Sequence, residues 1–165
     1  MNKTNFGDSL LIDLYDCTPG LTNDLEFTYR FLEELVHVLK MTPMSQPVVY
    51  HAPSKFINLR KINLPVLEDV QILGSILNGS PIQDIDFLRI ETFPDKAGVS
   101  GWQPLIESGI QIHTINENNF VTIDVYTCGT LEVAGVASHC ARVYGAKAHE
   151  SYHILRGVNF KQSKD

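Results

Sequence analysis

One six-residue pattern occurs twice in this chain: Ile12-Asp13-Leu14-Tyr15-Asp16-Cys17 returns as Ile123-Asp124-Val125-Tyr126-Thr127-Cys128. The first copy lies in the β-rich run Ser9 to Tyr15, the second in Phe120 to Tyr126, where apolar and polar residues alternate as on a half-buried strand. Each copy leads into turn residues and then into an amphipathic helix. After the first, Pro19-Gly20 makes the turn, and Thr22 or Asn23 can cap a helix in which Leu25, Tyr29, Leu32, Leu35, Val36 and Leu39 recur at three and four residues. Pro43 and Pro47 close it off. After the second, the pattern predicts a helix from about Leu131 to Tyr144, with Gly145 placed to end it. Matching sequence in matching context implies a duplicated β-α-β unit. Two such units side by side give an α+β two-layer sandwich, a mostly antiparallel sheet with helices on one face.

Between the copies the pattern is less regular. Val48-Val49-Tyr50 reads as a strand. The stretch 53–80 carries scattered Pro, Gly and Asn, an elaborated connection with a short helix around Val66 to Leu77, and Ile85 to Thr92 reads as a further strand. Ile110 to Thr114 and Phe120 to Tyr126 form a hairpin about the turn Asn116 to Asn119, and Tyr152 to Arg156 closes the sheet. At 165 residues, 44% of them hydrophobic, the chain has the size and apolar content of one domain spanning residues 1–165.

Charge and cysteine usage narrow the function classes. The net charge of −6, with Arg60-Lys61 as the longest basic concentration, argues against a nucleic-acid partner. No apolar run reaches bilayer length and the N-terminus lacks the apolar core of a signal peptide, so no membrane partner and a cytoplasmic location are expected. Three cysteines, Cys17, Cys128 and Cys140, form no zinc-finger or CxxC spacing, so no metal site is expected.

Candidate chemistry concentrates in Gly98-Val99-Ser100-Gly101-Trp102-Gln103-Pro104-Leu105-Ile106-Glu107-Ser108-Gly109-Ile110-Gln111-Ile112-His113-Thr114. Taken by composition alone, Gly98, Gly101 and Gly109 are turn residues, Ser100 and Ser108 turn hydroxyls, His113 a polar strand residue and Cys128 a core thiol. No general catalytic motif fits.

The segment GVSGWQPLIESGIQIHT, followed by FVTIDVYTCG, resembles the bacterial and archaeal S-adenosylmethionine decarboxylases, whose motif runs GVSG, a short apolar stretch, ESHIxIHTxPE and an AIDVFTCG-like strand. LLIDLYDC and its helix resemble the family's opening. The resemblance implies a proenzyme that cuts itself between Glu107 and Ser108 into a β chain, 1–107, and an α chain, 108–165. It implies that Ser108 becomes a pyruvoyl group, with neither pyridoxal phosphate nor metal, whose carbonyl takes up the substrate's α-amino group as a Schiff base. Ser100 and His113 would be processing residues, Ser100 bonding the oxyanion and His113 removing the proton that drives elimination. Cys128 would reprotonate the α-carbon, and Glu117, Phe93 and the Ile115 position would bind S-adenosylmethionine. The product would be the aminopropyl donor for spermidine synthesis, and the cleaved protomers would form a homodimer. Cys17 and Cys140 are left as core residues.

Two departures from the motif fall on recognition rather than on self-cleavage: Gly109 stands where the family has His, and Ile115 where most members have an aromatic residue. They keep open a pyruvoyl-dependent ornithine or arginine decarboxylase. They also keep open an uncleaved relative that binds or regulates a paralogue.

Overall fold

The computed structural model describes residues 5–52, 55–57, 90–92 and 96–160. In order these form β1 (Gly7–Tyr15), a 3-10 turn (Leu21–Asn23), α1 (Leu25–Val38), β2 (Val48–Ala52), β3 (Lys55–Ile57), β4 (Ile90–Thr92), β5 (Gly98–Leu105), β6 (Ser108–Ile115), β7 (Phe120–Thr127), α2 (Val136–Tyr144) and β8 (Ala148–Arg156). By its contacts the chain divides into two compact units, residues 1–52 with 95–165, and residues 53–94. The smaller holds the antiparallel ribbon of β3 and β4. The expected helix 66–77 and the first residues of the expected strand 85–92 lie outside the described residues; Ile90–Thr92 is β4.

The two echoed segments lie side by side. β1 pairs antiparallel with β7 so that Ile12 sits opposite Ile123, and the strand order of the six-stranded sheet is β2-β5-β6-β7-β1-β8. Every neighbouring pair is antiparallel. The α+β sandwich expected from the sequence is the architecture found. Leu10, Ile12 and Leu14 of β1, Ile110 and Ile112 of β6, and Val121, Ile123 and Val125 of β7 point one way and are buried. They meet Phe31, Leu32, Leu35 and Val36 of α1 and Val136, Cys140, Ala141 and Tyr144 of α2 in one core. Cys17 and Cys140 belong to that core, where burial pushes their thiols up to about 11 and about 12, far from useful thiolates. The alternate residues of each strand face away from the helices and make up the open face of the sheet.

Local chemistry sets where the helices begin and end. Asp24, rather than Thr22 or Asn23, caps α1: its carboxylate accepts the Phe27 N–H at 2.9 Å. Thr22 instead sits in the 3-10 turn, where its carbonyl accepts the hydroxyl of buried Thr114. α1 stops before the prolines, because Lys40 takes a left-handed conformation (φ 55) and the Met41 N–H bonds back to the Val36 carbonyl. α2 starts at Val136 rather than near Leu131, behind left-handed Gly135, and ends at Gly145 as the sequence implies. β8 is longer than expected, and all nine of its residues are exposed at the sheet edge.

The largest difference is β5. Its glycines make close approaches inside a strand rather than turns. A Cβ on Gly98 would run into the carbonyl oxygen of Thr114, and one on Gly101 would lie 2.9 Å from Leu32 Cδ1.

Candidate active site

β5 and β6 are joined by Ile106 and Glu107 alone, since Leu105 pairs directly with Ser108. Ser108, the first residue of β6, has φ 151. L-residues rarely adopt that backbone region, which is nearly glycine's own and costs about 1–3 kcal/mol when another residue holds it. Such strain persists only when neighbours over-determine it. Here the Glu107 carbonyl accepts the Cys128 N–H at 2.9 Å, and Ser108 pairs on its other side with Thr127. The Gly129 N–H in turn bonds Thr127 Oγ1 at 2.9 Å, which fixes the bend after β7. The Glu107 carboxylate is tied to Thr42, whose backbone N–H, with the hydroxyl's help, holds it below its ordinary pKa. Thr42 carries no signal in the sequence, since the contact spans 65 residues and no motif predicts it.

This end of the hairpin offers the parts of an acyl shift. Ser108 supplies a hydroxyl beside the Glu107 carbonyl, and the Cys128 amide already points at the oxygen that would turn negative. A hollow of about 370 Å3 opens beside it on the open face, lined among others by Ser9, Trp102, Ser108, Asp124 and Tyr126. Cys128 is exposed, unlike the other two cysteines. Burial, and then the charge of Asp13, raises the Asp124 carboxyl above its usual range.

Ser100 and His113 form a second pair. They lie opposite each other on β5 and β6, and Ser100 Oγ and His113 Nδ1 share a hydrogen bond of 2.7 Å. Burial, with Lys96 adding to it, lowers the His113 pKa, so the imidazole is neutral at neutral pH and able to accept a proton. Ile115, half-buried, ends β6 opposite Phe120, whose ring stands 5.4 Å from that of Tyr15. Glu117 is exposed in the following turn. Phe93 lies outside the described residues.

The structure thus brings Ser108 to Cys128 and Ser100 to His113, but within one chain it does not bring the two pairs together. His113 lies five residues along β6 from Ser108, about 16 Å at the rise of an extended strand. No bend of β6 shortens that path, because it pairs continuously with β7 from Ser108 to Ile115.

Gly109 also has a structural reason. A Cβ there would lie 3.0 Å from Trp102 Nε1, so the indole of Trp102 occupies the space that a histidine would need. Trp102 is itself half-exposed on the open face.

Residues 55–157 match the family model described as S-adenosylmethionine decarboxylase. Among curated relatives, the S-adenosylmethionine decarboxylase proenzyme of Geobacillus kaustophilus is 31% identical over 99 residues, covering 59% of this chain and 77% of that protein. The proenzyme of the same description from Anoxybacillus flavithermus is 31% identical over 108 residues, 63% of this chain and 84% of that one. Among solved structures, the adenosylmethionine decarboxylase from Aquifex aeolicus superposes over 98% of both chains with a TM-score of 0.60 at 22% identity, a likeness of fold.

Proposed function

Because the chain belongs to the S-adenosylmethionine decarboxylase family, we propose that it cuts itself at Ser108 and then decarboxylates S-adenosylmethionine to the aminopropyl donor for spermidine synthesis. The observation that carries this reading is the strained Ser108 directly after a carbonyl already bonded to the Cys128 amide. Ser108 Oγ adds to the Glu107 carbonyl carbon, the amide C–N bond breaks, and the freed nitrogen of Ser108 takes the hydroxyl proton. The chain is then held by an ester. Removal of the Ser108 Cα proton expels Glu107 as a carboxylate and leaves a dehydroalanine, which loses ammonia to water. The pyruvoyl group so formed supplies a carbonyl for the substrate amine and an electron sink for loss of carbon dioxide.

The residues around Ser108 suit that group. Self-cleavage leaves it at the new N-terminus of β6, at the mouth of the 370 Å3 hollow. The exposed Cys128 follows the strand that pairs with Ser108, which suits its role as the proton donor to the α-carbon. Neutral His113 is the base for the Cα proton, and its partner Ser100 is the second oxyanion donor. The separation of about 16 Å between Ser108 and His113 supports a homodimer in which each site draws Ser108 and Cys128 from one copy and Ser100 and His113 from the other. Two open faces stacked about 10 Å apart would achieve this. Glu117 and Ile115, at the His113 end of β6, then bind the nucleoside part of the substrate. A cytoplasmic location goes with this reading.

Release of labelled carbon dioxide from carboxyl-labelled S-adenosylmethionine, ornithine and arginine by the purified protein tests the substrate. Turnover of S-adenosylmethionine alone is the expected result. Turnover of only a plain amino acid would overturn the substrate assignment. Mixing two proenzymes, Ser108→Ala and His113→Ala, tests the shared site: neither cuts alone, and together the His113→Ala chain is cut.

A further inference from the structure

The turn that carries the scissile bond is gripped from outside the hairpin. Beyond α1 the chain runs along β5: Pro43 bridges Leu105, the Met44 N–H donates to the Pro104 carbonyl at 3.0 Å, and the Ile106 N–H donates to the Thr42 carbonyl at 3.0 Å. Thr42 then adds two bonds to one carboxylate, from its N–H to Glu107 Oε2 at 3.1 Å and from its Oγ1 to Glu107 Oε1 at 3.0 Å. With the Cys128 N–H on the Glu107 carbonyl, the residue before the cut is held at its carboxylate and at its carbonyl, and only then does the chain enter Ser108 at φ 151.

We propose that Thr42 is a positioning residue for self-cleavage, its two bonds to the Glu107 carboxylate holding the Glu107–Ser108 peptide in the geometry from which the Ser108 hydroxyl attacks. The inference rests on the proposed function, and it deepens the first step of that chemistry. A turn of two residues is short enough to rotate as a unit, and such a rotation would let Ser108 relax into ordinary extended backbone. It would also swing the Glu107 carbonyl off the Cys128 amide. Two charge-assisted bonds from a backbone-anchored partner oppose that rotation, since the carboxylate would have to leave both donors at once. Once the acyl group has moved to Ser108 Oγ, the strained peptide no longer exists. The grip therefore acts on ester formation and not on the elimination that follows.

The test follows proenzyme cleavage with time, on denaturing gels and by intact mass, for the full chain and three variants. Thr42→Val keeps the backbone donor and loses the hydroxyl, so cleavage slows by about twofold to tenfold. Thr42→Ser restores a rate near that of the wild type. Glu107→Gln, which keeps the shape of the acceptor but not its charge, falls between and keeps the test alive if Thr42→Val does not fold. Hydroxylamine separates the steps, because it cuts an accumulated ester: it speeds His113→Ala and leaves Thr42→Val unchanged. Wild-type cleavage by Thr42→Val and Glu107→Gln overturns the proposal. Hydroxylamine rescue of Thr42→Val also overturns it, because the slow step would then follow the ester. A wild type that is folded and never cuts overturns the proposed function instead.

Discussion

Replacing Ser108 by alanine and by glycine separates backbone strain from chemistry. Neither variant has the hydroxyl, so both remain whole and can be compared as uncut chains. Alanine keeps a Cβ at φ 151, while glycine adopts that conformation freely. Releasing the strain is worth about 1–3 kcal/mol. Against it stands the ordinary cost of glycine in a strand, about 0.5–1 kcal/mol relative to alanine. The difference favours Ser108→Gly by about 1 kcal/mol. For a chain of 165 residues this raises the melting temperature by about 2–4 °C and moves the urea midpoint up by about 0.5 M. Parallel urea and thermal unfolding of the two variants measures it. If Ser108→Gly is instead the less stable of the pair by the usual strand penalty, Ser108 holds no strain, and the argument from its conformation fails.

Other expectations follow from the same structure. The lowered pKa of His113 means that the folded state binds its proton less readily than the unfolded chain does, so its contribution to stability is complete above about pH 6.5 and shrinks as the pH falls below that. His113→Gln in a Ser108→Ala background should therefore flatten the melting temperature between pH 7.5 and pH 5.5, within about that window; an unchanged slope would refute it. Gly98→Ala drives a methyl into the Thr114 carbonyl and should cost about 3 kcal/mol or more, whereas Gly101→Ala meets only the ends of the Leu32 and Ile112 side chains and should cost about 1 kcal/mol, both read by urea unfolding. Leu32→Ala, at a fully buried site, should cost about 2–5 kcal/mol by the same assay. Trp102→Glu places a charge on the open sheet face, and light scattering should find a dimer converted to a monomer.

The parts of this fold visible in the sequence are those whose residues obey one period. β7 alternates cleanly, α1 keeps a three-and-four spacing, and Gly145 ends α2 where its left-handed conformation is needed. β5 is hidden because Gly98, Ser100, Gly101 and Pro104 read as turn residues. The two glycines serve close packing inside the strand: the Thr114 carbonyl leaves no room for a side chain at Gly98, and Leu32 and Ile112 crowd Gly101. Asp24 won the cap from Thr22 and Asn23 because a 3-10 turn used up the residues before it. In the candidate site, motif spacing singles out which residues to suspect, and it says nothing of how they group in space. Spacing along a chain does not say that Ser108 and His113 stand five residues apart on one continuously paired strand. Thr42 lay beyond any local pattern, since α1's left-handed exit at Lys40 is what delivers it to Glu107.

Intact mass spectrometry of freshly purified wild type beside Ser108→Ala decides whether this chain cuts itself at Ser108. Two wild-type fragments are expected, residues 1–107 and 108–165, the second lighter by one ammonia than a serine-terminated peptide, with a single whole chain for Ser108→Ala. A folded wild type that stays whole would contradict it.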